Sequence, residues 1–235
     1  KARFLPAMAR GETLGCFALT EPDAGSDPGG MRTRARRDGG DWVLDGTKAW
    51  VTNGTVADVA LVWAKVGDGD GRSIRGFLVD RGAPGFSARE VQGKLSLRAS
   101  VTAELHLDGV RVPASRVLPG TEGAGLRAPL ACLTRARYGI AWGAVGAATA
   151  CLESARAYAT ERVQFGRPIG SFQLVQEKLV EMWQGVVLGR LLALRLGELA
   201  DARRPRRKVV DLDGDARRRG EREDVHEEWV RRHAI

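Results

Sequence analysis

The stretch Ala18-Leu19-Thr20-Glu21-Pro22-Asp23-Ala24-Gly25-Ser26-Asp27-Pro28-Gly29-Gly30 decides how the rest of this chain is read. The apolar run from Leu14 to Leu19 reads as a strand that ends in this loop of small residues. A loop poor in bulky side chains lets backbone N–H groups approach a ligand closely. Thr20 and Ser26 add hydroxyls that donate and accept, and Gly25 is placed to take a positive-φ turn between them. The pattern fits a loop that binds a phosphate or a heterocycle at a strand end. It fits equally a surface turn rich in Gly, Asp and Ser, and the loop alone does not choose between the two.

A second segment makes the choice. Asp45-Gly46-Thr47-Lys48-Ala49-Trp50-Val51-Thr52-Asn53-Gly54 follows at close range. Leu-Thr-Glu-Pro-x-Ala-Gly-Ser-Asp and this second segment, in that order and at that spacing, resemble the two flavin-contacting signatures of the acyl-CoA dehydrogenase family. Its members are flavoenzymes that desaturate acyl-CoA thioesters. Further on, Arg162-Val163-Gln164-Phe165-Gly166-Arg167-Pro168-Ile169 is similar to the family's Arg-x-x-Phe-Gly-x-Pro-Ile turn between two C-terminal helices, and Gln173 follows at the family's spacing. The resemblance runs from about Lys1 to Ala202. Within the family, Gly93-Lys94-Leu95-Ser96-Leu97-Arg98-Ala99-Ser100 and Ala136-Arg137-Tyr138-Gly139-Ile140-Ala141-Trp142-Gly143 look most like the glutaryl-CoA dehydrogenase subgroup.

The resemblance implies FAD as cofactor and assigns roles residue by residue. Phe17, Ala18, Leu19 and Thr20 would line the cofactor, with Thr20 hydrogen-bonding the pyrimidine edge of the flavin. Ser26 would lie at the pyrophosphate and close to the acyl-CoA. Trp50 would pack against the isoalloxazine as a flat apolar wall, beside Val51, and Thr52 would reach N5. Arg162, Phe165 and Gln173 would contact the adenosine diphosphate end, from a neighbouring subunit. Arg162 also reads, from its type and place alone, as a helix-capping residue at a structural turn. Leu133, Thr134 and Arg137, with Ser26, would contact acyl-CoA; Arg137 reads alternatively as part of an intrahelical salt bridge. Arg98 invites a carboxylate-binding role, but its place beside a strand favours a structural ion pair.

Desaturating a thioester needs a base for the α-proton, an acceptor for the β-hydride and donors near the thioester oxygen. In the glutaryl subgroup oxidation is followed by decarboxylation to crotonyl-CoA. The family carries its base on a glutamate within a Tyr-Glu-Gly-Thr-like motif, and that motif does not occur in this sequence. No catalytic residue is therefore assigned, and weak or no turnover is expected of this chain alone. An acyl-CoA oxidase of the same fold is one alternative, and a non-catalytic remnant that binds flavin or CoA is another. The resemblance further implies an acyl-CoA substrate, an electron-transfer flavoprotein as acceptor, a homotetramer when complete, and a bacterial cytoplasm or mitochondrial matrix as location.

Periodicity and punctuation place these motifs on an α+β architecture. Residues 1–12 read as the end of a preceding helical domain, which makes the chain a fragment. Residues 13–119 carry short strand-like runs, Trp42–Gly46, Val59–Ala64, Gly76–Val79, Ser87–Val91 and Ala103–Asp108, punctuated by turn signals at Gly39-Gly40, Asp45-Gly46, Asn53-Gly54 and Asp108-Gly109. They predict a compact antiparallel β-domain, sandwich- or barrel-like, with His106 facing outward between Leu105 and Leu107. Residues 120–202 turn helical, with long helices over Leu130–Tyr158 and Phe172–Ala202, the latter with Leu174, Leu179, Met182, Val186, Leu192 and Leu196 on its apolar face. Two such antiparallel helices make an incomplete bundle that needs further neighbours or a partner copy. Residues 203–235 are a divergent charged tail, expected to be disordered or the product of a frameshift.

Composition agrees with a globular protein: 43% of residues are hydrophobic and 28% charged. No apolar run reaches the roughly 18 residues of a membrane helix. The formal net charge of +8 is scattered or confined to the tail, without the interleaved aromatic residues of a single-strand nucleic-acid groove. Cys16, Cys132 and Cys151 are odd in number and sit among apolar residues, which predicts buried, reduced thiols and no disulfide framework. With His106, His226 and His233 as the only histidines, no metal-ligand spacing emerges.

Overall fold

The computed structural model describes residues 3–67 and 74–202. The chain forms two compact units, Lys1–Gly139 and Ile140–Ile235. The tail from residue 203, with His226 and His233, lies outside the described residues.

In the first unit a short helix α1 (Leu5–Ala9) precedes seven strands: β1 (Gly15–Ala18), β2 (Arg34–Asp38), β3 (Asp41–Thr52), β4 (Val59–Val66), β5 (Ile74–Asp80), β6 (Phe86–Glu90) and β7 (Thr102–Pro113). They pair in the order β1-β4-β2-β3-β7-β6, with β5 also on β4. Most pairings are antiparallel, as predicted, but β4 runs parallel to both β1 and β2. The reason is geometric. β1 pairs with Val59–Val62 and β2 reaches Lys65 and Val66, so two short strands share one edge of β4 while β5 takes the other.

β4 is buried on both faces, which explains its nearly continuous apolar sequence. Ala60, Val62 and Ala64 enter the larger core with Trp42, Leu44, Phe77, Leu105 and Val110. Trp63, from the alternate face, joins Leu19, Met31 and Ile74, with Leu61, Leu126 and Leu133 packed around them. Trp42 and Phe77 meet edge-on at 5.6 Å between ring centroids, an arrangement that satisfies the aromatic quadrupoles.

Three sequence readings need correction. β2, Arg-Ala-Arg-Arg-Asp, shows no apolar alternation and buries only Ala35, yet it is a strand because it pairs with β3. Asp45-Gly46 and Asp108-Gly109 are not turns; both dipeptides lie inside the twelve-residue strands β3 and β7, where the Gly109 N–H donates to Asp45 Oδ1 at 2.7 Å. Of the cysteines, only Cys16 is buried, its thiol pushed up to about 11 by that burial; Cys132 and Cys151 are exposed on a helix that has little packed against it among the described residues. His106 faces outward as read, its side chain 45% exposed between the buried Leu105 and Leu107, with Nδ1 3.4 Å from Thr47 Oγ1.

Helix α2 (Arg127–Glu161) begins in the first unit. The second unit continues through a two-stranded hairpin, β8 (Val163–Gln164) and β9 (Arg167–Pro168), to α3 (Gln173–Ala202). Of the predicted apolar face of α3 only Val186 is buried; Leu174 and Leu192 are 74% and 71% exposed. Among the described residues Leu174, Leu192 and Leu196 of that face stand exposed, in keeping with a face that further helices or copies would cover.

Candidate functional site

β1 delivers the chain to Leu19 and Thr20, and the loop beyond closes on itself. The Glu21 N–H donates to the Ala24 carbonyl at 3.1 Å, and Ala24 N–H returns the bond to Glu21 at 3.2 Å. This pairing makes the turn, so Gly25 does not need the positive φ expected of it and does not adopt one. Asp27 then caps the single 3₁₀ turn Pro28–Gly30, its Oδ1 accepting from the Gly29 N–H at 3.0 Å. Ser26 stands exposed between the two.

The second segment is the C-terminal half of β3. A register shift between Lys48 and Val51 marks a bulge against β7. Within it Trp50 takes φ +58°, a left-handed conformation rare for a bulky residue, and its side chain is 63% exposed. The bulge returns Val51 to the core and leaves Trp50 and Thr52 facing out together. They line one wall of a cavity of about 500 Å³, whose other wall is the loop from Val91 to Ser100. That loop folds around a single ammonium: Lys94 Nζ donates to Leu97 O at 3.0 Å, to Thr102 Oγ1 at 2.9 Å and to Ser100 O. Arg98 braces the same loop through Nε to Lys94 O at 3.0 Å.

The two motifs are joined directly. Ala49 N–H donates to the Thr20 carbonyl at 2.8 Å. On either side of that bond, Lys48 Nζ donates to the Leu19 carbonyl at 3.0 Å and to Glu21 Oε1 at 2.9 Å. Lys48 is 0% and Glu21 5% exposed, so this ion pair is fully withdrawn from water. Glu21 also accepts from the backbone N–H groups of Arg32, at 2.5 Å, and Thr33, at 3.0 Å. Burial pushes the Glu21 carboxyl upward, but the bonds from Arg32, Thr33 and Lys48 outweigh it and hold the group below its usual range. Burial lowers Lys48 from its ordinary value, only partly opposed by Glu21. No local pattern in the sequence singles out this pair. Its one signal was a Glu and a Lys inside the two motifs, but their contact spans a long loop that no local pattern reports.

The remaining predicted residues fall in distinct places. Phe17 is half-buried and packs on Trp63 at 6.0 Å, while Ala18, Leu19 and Val51 are core side chains that offer a ligand only their backbone. Thr20 is half-buried, Thr52 exposed. Leu133 packs on the cluster of Leu19 and Trp63; Thr134 is exposed and donates to the Leu130 carbonyl at 3.0 Å, and Arg137 is exposed one turn on. In the second unit, Phe165 sits at the tip of the β8–β9 hairpin at φ +52°, 90% exposed, its ring 6.2 Å from Phe172. Arg162 enters that hairpin, its carbonyl accepting from Ile169 N–H at 2.8 Å, and Gln173 opens α3.

In the first unit, an outward indole beside the Thr52 hydroxyl, joined through backbone to Thr20 and its loop, suits a planar heterocycle with a polar edge. Among the described residues no cluster of His, Cys, Asp and Glu could hold a metal, and no helix is long and apolar enough to cross a membrane.

The sequence matches the profile of the acyl-CoA dehydrogenase middle domain over residues 16–110 and that of the acyl-CoA dehydrogenase C-terminal domain over residues 123–212. It is 41% identical over 200 residues to an acyl-CoA dehydrogenase of Bacillus subtilis, covering 85% of this chain and 52% of that protein. Among solved structures, glutaryl-CoA dehydrogenase from Mycobacterium smegmatis superposes with a TM-score of 0.81 at 59% identity, over 86% of this chain and 51% of the other. A glutaryl-CoA dehydrogenase of the same organism in complex with FADH2 gives 0.82 at 57% identity, over 86% and 51%. The chain thus spans about half the length of the relatives it matches.

Proposed function

We propose, from the premise that this chain belongs to the acyl-CoA dehydrogenase family, that its first unit supplies one wall of an FAD site for α,β-dehydrogenation of an acyl-CoA thioester, with glutaryl-CoA as the substrate. The observation that supports this reading is the bond from Ala49 N–H to the Thr20 carbonyl, which ties together two motifs distant in sequence. The likeness to a glutaryl-CoA dehydrogenase that binds FADH2 supports both the cofactor and the subgroup.

FAD, when bound, supplies the acceptor for the β-hydride. The work left to this chain is binding and orientation. Trp50 offers a rigid apolar face at low entropic cost, and Thr20 and Thr52 offer hydroxyls to the polar edge of the ring. Ser26 serves the pyrophosphate and the acyl-CoA, and Leu133, Thr134 and Arg137 the acyl-CoA. Arg162, Phe165 and Gln173 serve the adenosine diphosphate end of an FAD bound by a neighbouring copy. The uncovered apolar residues of α3 support assembly with further helices or copies, and an electron-transfer flavoprotein is the acceptor that completes the reading. Because none of these residues is placed to take the α-proton, the chain alone is expected to bind better than it turns over.

Titration of the purified chain with FAD, followed by flavin fluorescence, tests the proposal. The unaltered chain is expected to bind, and Trp50→Ala to weaken binding about tenfold through loss of the aromatic wall. Glutaryl-CoA is expected to perturb the bound flavin's absorption more than butyryl-CoA does. No binding by the unaltered chain overturns the reading; equal perturbation by both thioesters overturns the substrate assignment alone.

A further inference from the structure

Glu21 and Lys48 are not among the residues expected to contact the cofactor, yet they hold residues that are. Lys48 Nζ reaches the carbonyl of Leu19 and the carboxylate of Glu21, and the adjacent Ala49 N–H takes the carbonyl of Thr20 between them. Three consecutive residues of the loop are thereby fixed by two consecutive residues of β3. The pair lies just ahead of the bulge that turns Trp50 outward. Glu21 in turn anchors the return of the loop through the N–H groups of Arg32 and Thr33.

A surface ion pair in this place would contribute little and would tolerate drift. A buried one is different. Withdrawing two charges from water costs several kcal/mol each, and attraction balances that only when the geometry is good and the other donors and acceptors are satisfied. Here the Glu21 carboxylate accepts three bonds and Lys48 donates at least two, so the arrangement tolerates only a narrow range of loop positions. Methionine or leucine at both sites would fill the volume without that narrow tolerance. The pair's value is therefore register more than net stability.

We infer that Glu21 and Lys48 are positioning residues for the cofactor: a buried strut that sets the Leu19–Glu21 segment against β3, so that Thr20 and the outward pair Trp50 and Thr52 address one ring. The inference rests on the FAD reading above. It predicts that removing both charges leaves a folded protein whose cofactor surface is out of register.

The test is the double variant Glu21→Gln with Lys48→Met in the full chain, which leaves no unpaired buried charge. It is expected to unfold cooperatively, within a few degrees of the unaltered chain. Its FAD dissociation constant is expected to rise about tenfold, and the Ala49 amide to exchange with solvent about tenfold faster. If the double variant does not fold, Glu21→Gln with Lys48→Gln, which also strands no buried charge and keeps amide donors and acceptors in place, carries the same test with an expected loss in FAD affinity of about threefold. An FAD dissociation constant unchanged within about twofold, in a chain that binds FAD before alteration, overturns the inference and leaves the functional reading intact. Failure of the unaltered chain to bind FAD overturns the functional reading and the inference with it, whereas unchanged Ala49 exchange in the double variant overturns the strut alone.

Discussion

Lys48→Met, with Glu21 left in place, is expected to destabilise the first unit by about 3–5 kcal/mol. The single change strands a carboxylate that is 5% exposed and removes the bonds to Leu19 O and Glu21 Oε1 in one step. Two backbone donors, from Arg32 and Thr33, remain on Glu21, but they do not replace a full opposing charge. Urea unfolding at neutral pH measures the loss: the midpoint should fall with the slope unchanged. A loss under about 1 kcal/mol would show that the pair is wet or dispensable.

The same carboxylate predicts a pH dependence. The folded protein holds Glu21 below its ordinary range, so the unfolded chain binds that proton more readily. Its contribution to stability is therefore complete above the ordinary carboxylate range and is lost as pH falls through the lower, folded value. Glu21→Gln should be less stable than the unaltered chain at neutral pH, and the difference should shrink on acidification. A difference that stays constant into the acid range would contradict the assigned direction.

The second large effect is expected at Gly46. This residue has φ +149° where β3 shifts register against β7, and a Cβ added there would lie 2.5 Å from Thr33 Oγ1 and 2.7 Å from Thr33 Cα. The first contact is with a side chain, but the second is with backbone and has no easy retreat. Gly46→Ala should therefore cost about 3 kcal/mol or more, from strain and overpacking together. Thr33→Ala in the same chain removes the Oγ1 contact only, so it is expected to recover part of the loss. Full recovery in the double variant would mean that the backbone contact is harmless, and a cost under about 1 kcal/mol for Gly46→Ala would mean that β3 flattens freely.

These two positions also mark where the sequence was legible and where it was not. Strands with apolar alternation or continuous apolar runs, such as Val59–Ala64 and Ala103–Asp108, declared themselves because burial acts residue by residue. The long helices declared themselves, the first by Ala-rich composition with little Pro and the second by period, and their observed bounds, Arg127–Glu161 and Gln173–Ala202, lie within three residues of those expected. β2 did not, since its Arg-rich sequence is strand by virtue of its neighbours. A Gly after an Asp usually marks a turn, but Gly46 and Gly109 each sit inside a strand, Gly46 at a bulge with Thr33 pressed against it. The candidate site was legible as two motifs, and Thr20, Ser26, Trp50 and Thr52 are indeed accessible side chains or half so. The left-handed turn at Trp50 and the Glu21–Lys48 strut were not legible. One depends on a register shift and the other on a contact between distant segments, and neither leaves a local pattern.

The proposed FAD site requires the Thr20 loop and the bulge of β3 to present a single surface. Hydrogen–deuterium exchange of the full chain, with and without saturating FAD, tests this most directly. Slowed exchange is expected in both segments at once, across residues 17–26 and across residues 49–53. Protection confined to one of them, or absent from both, would contradict the account.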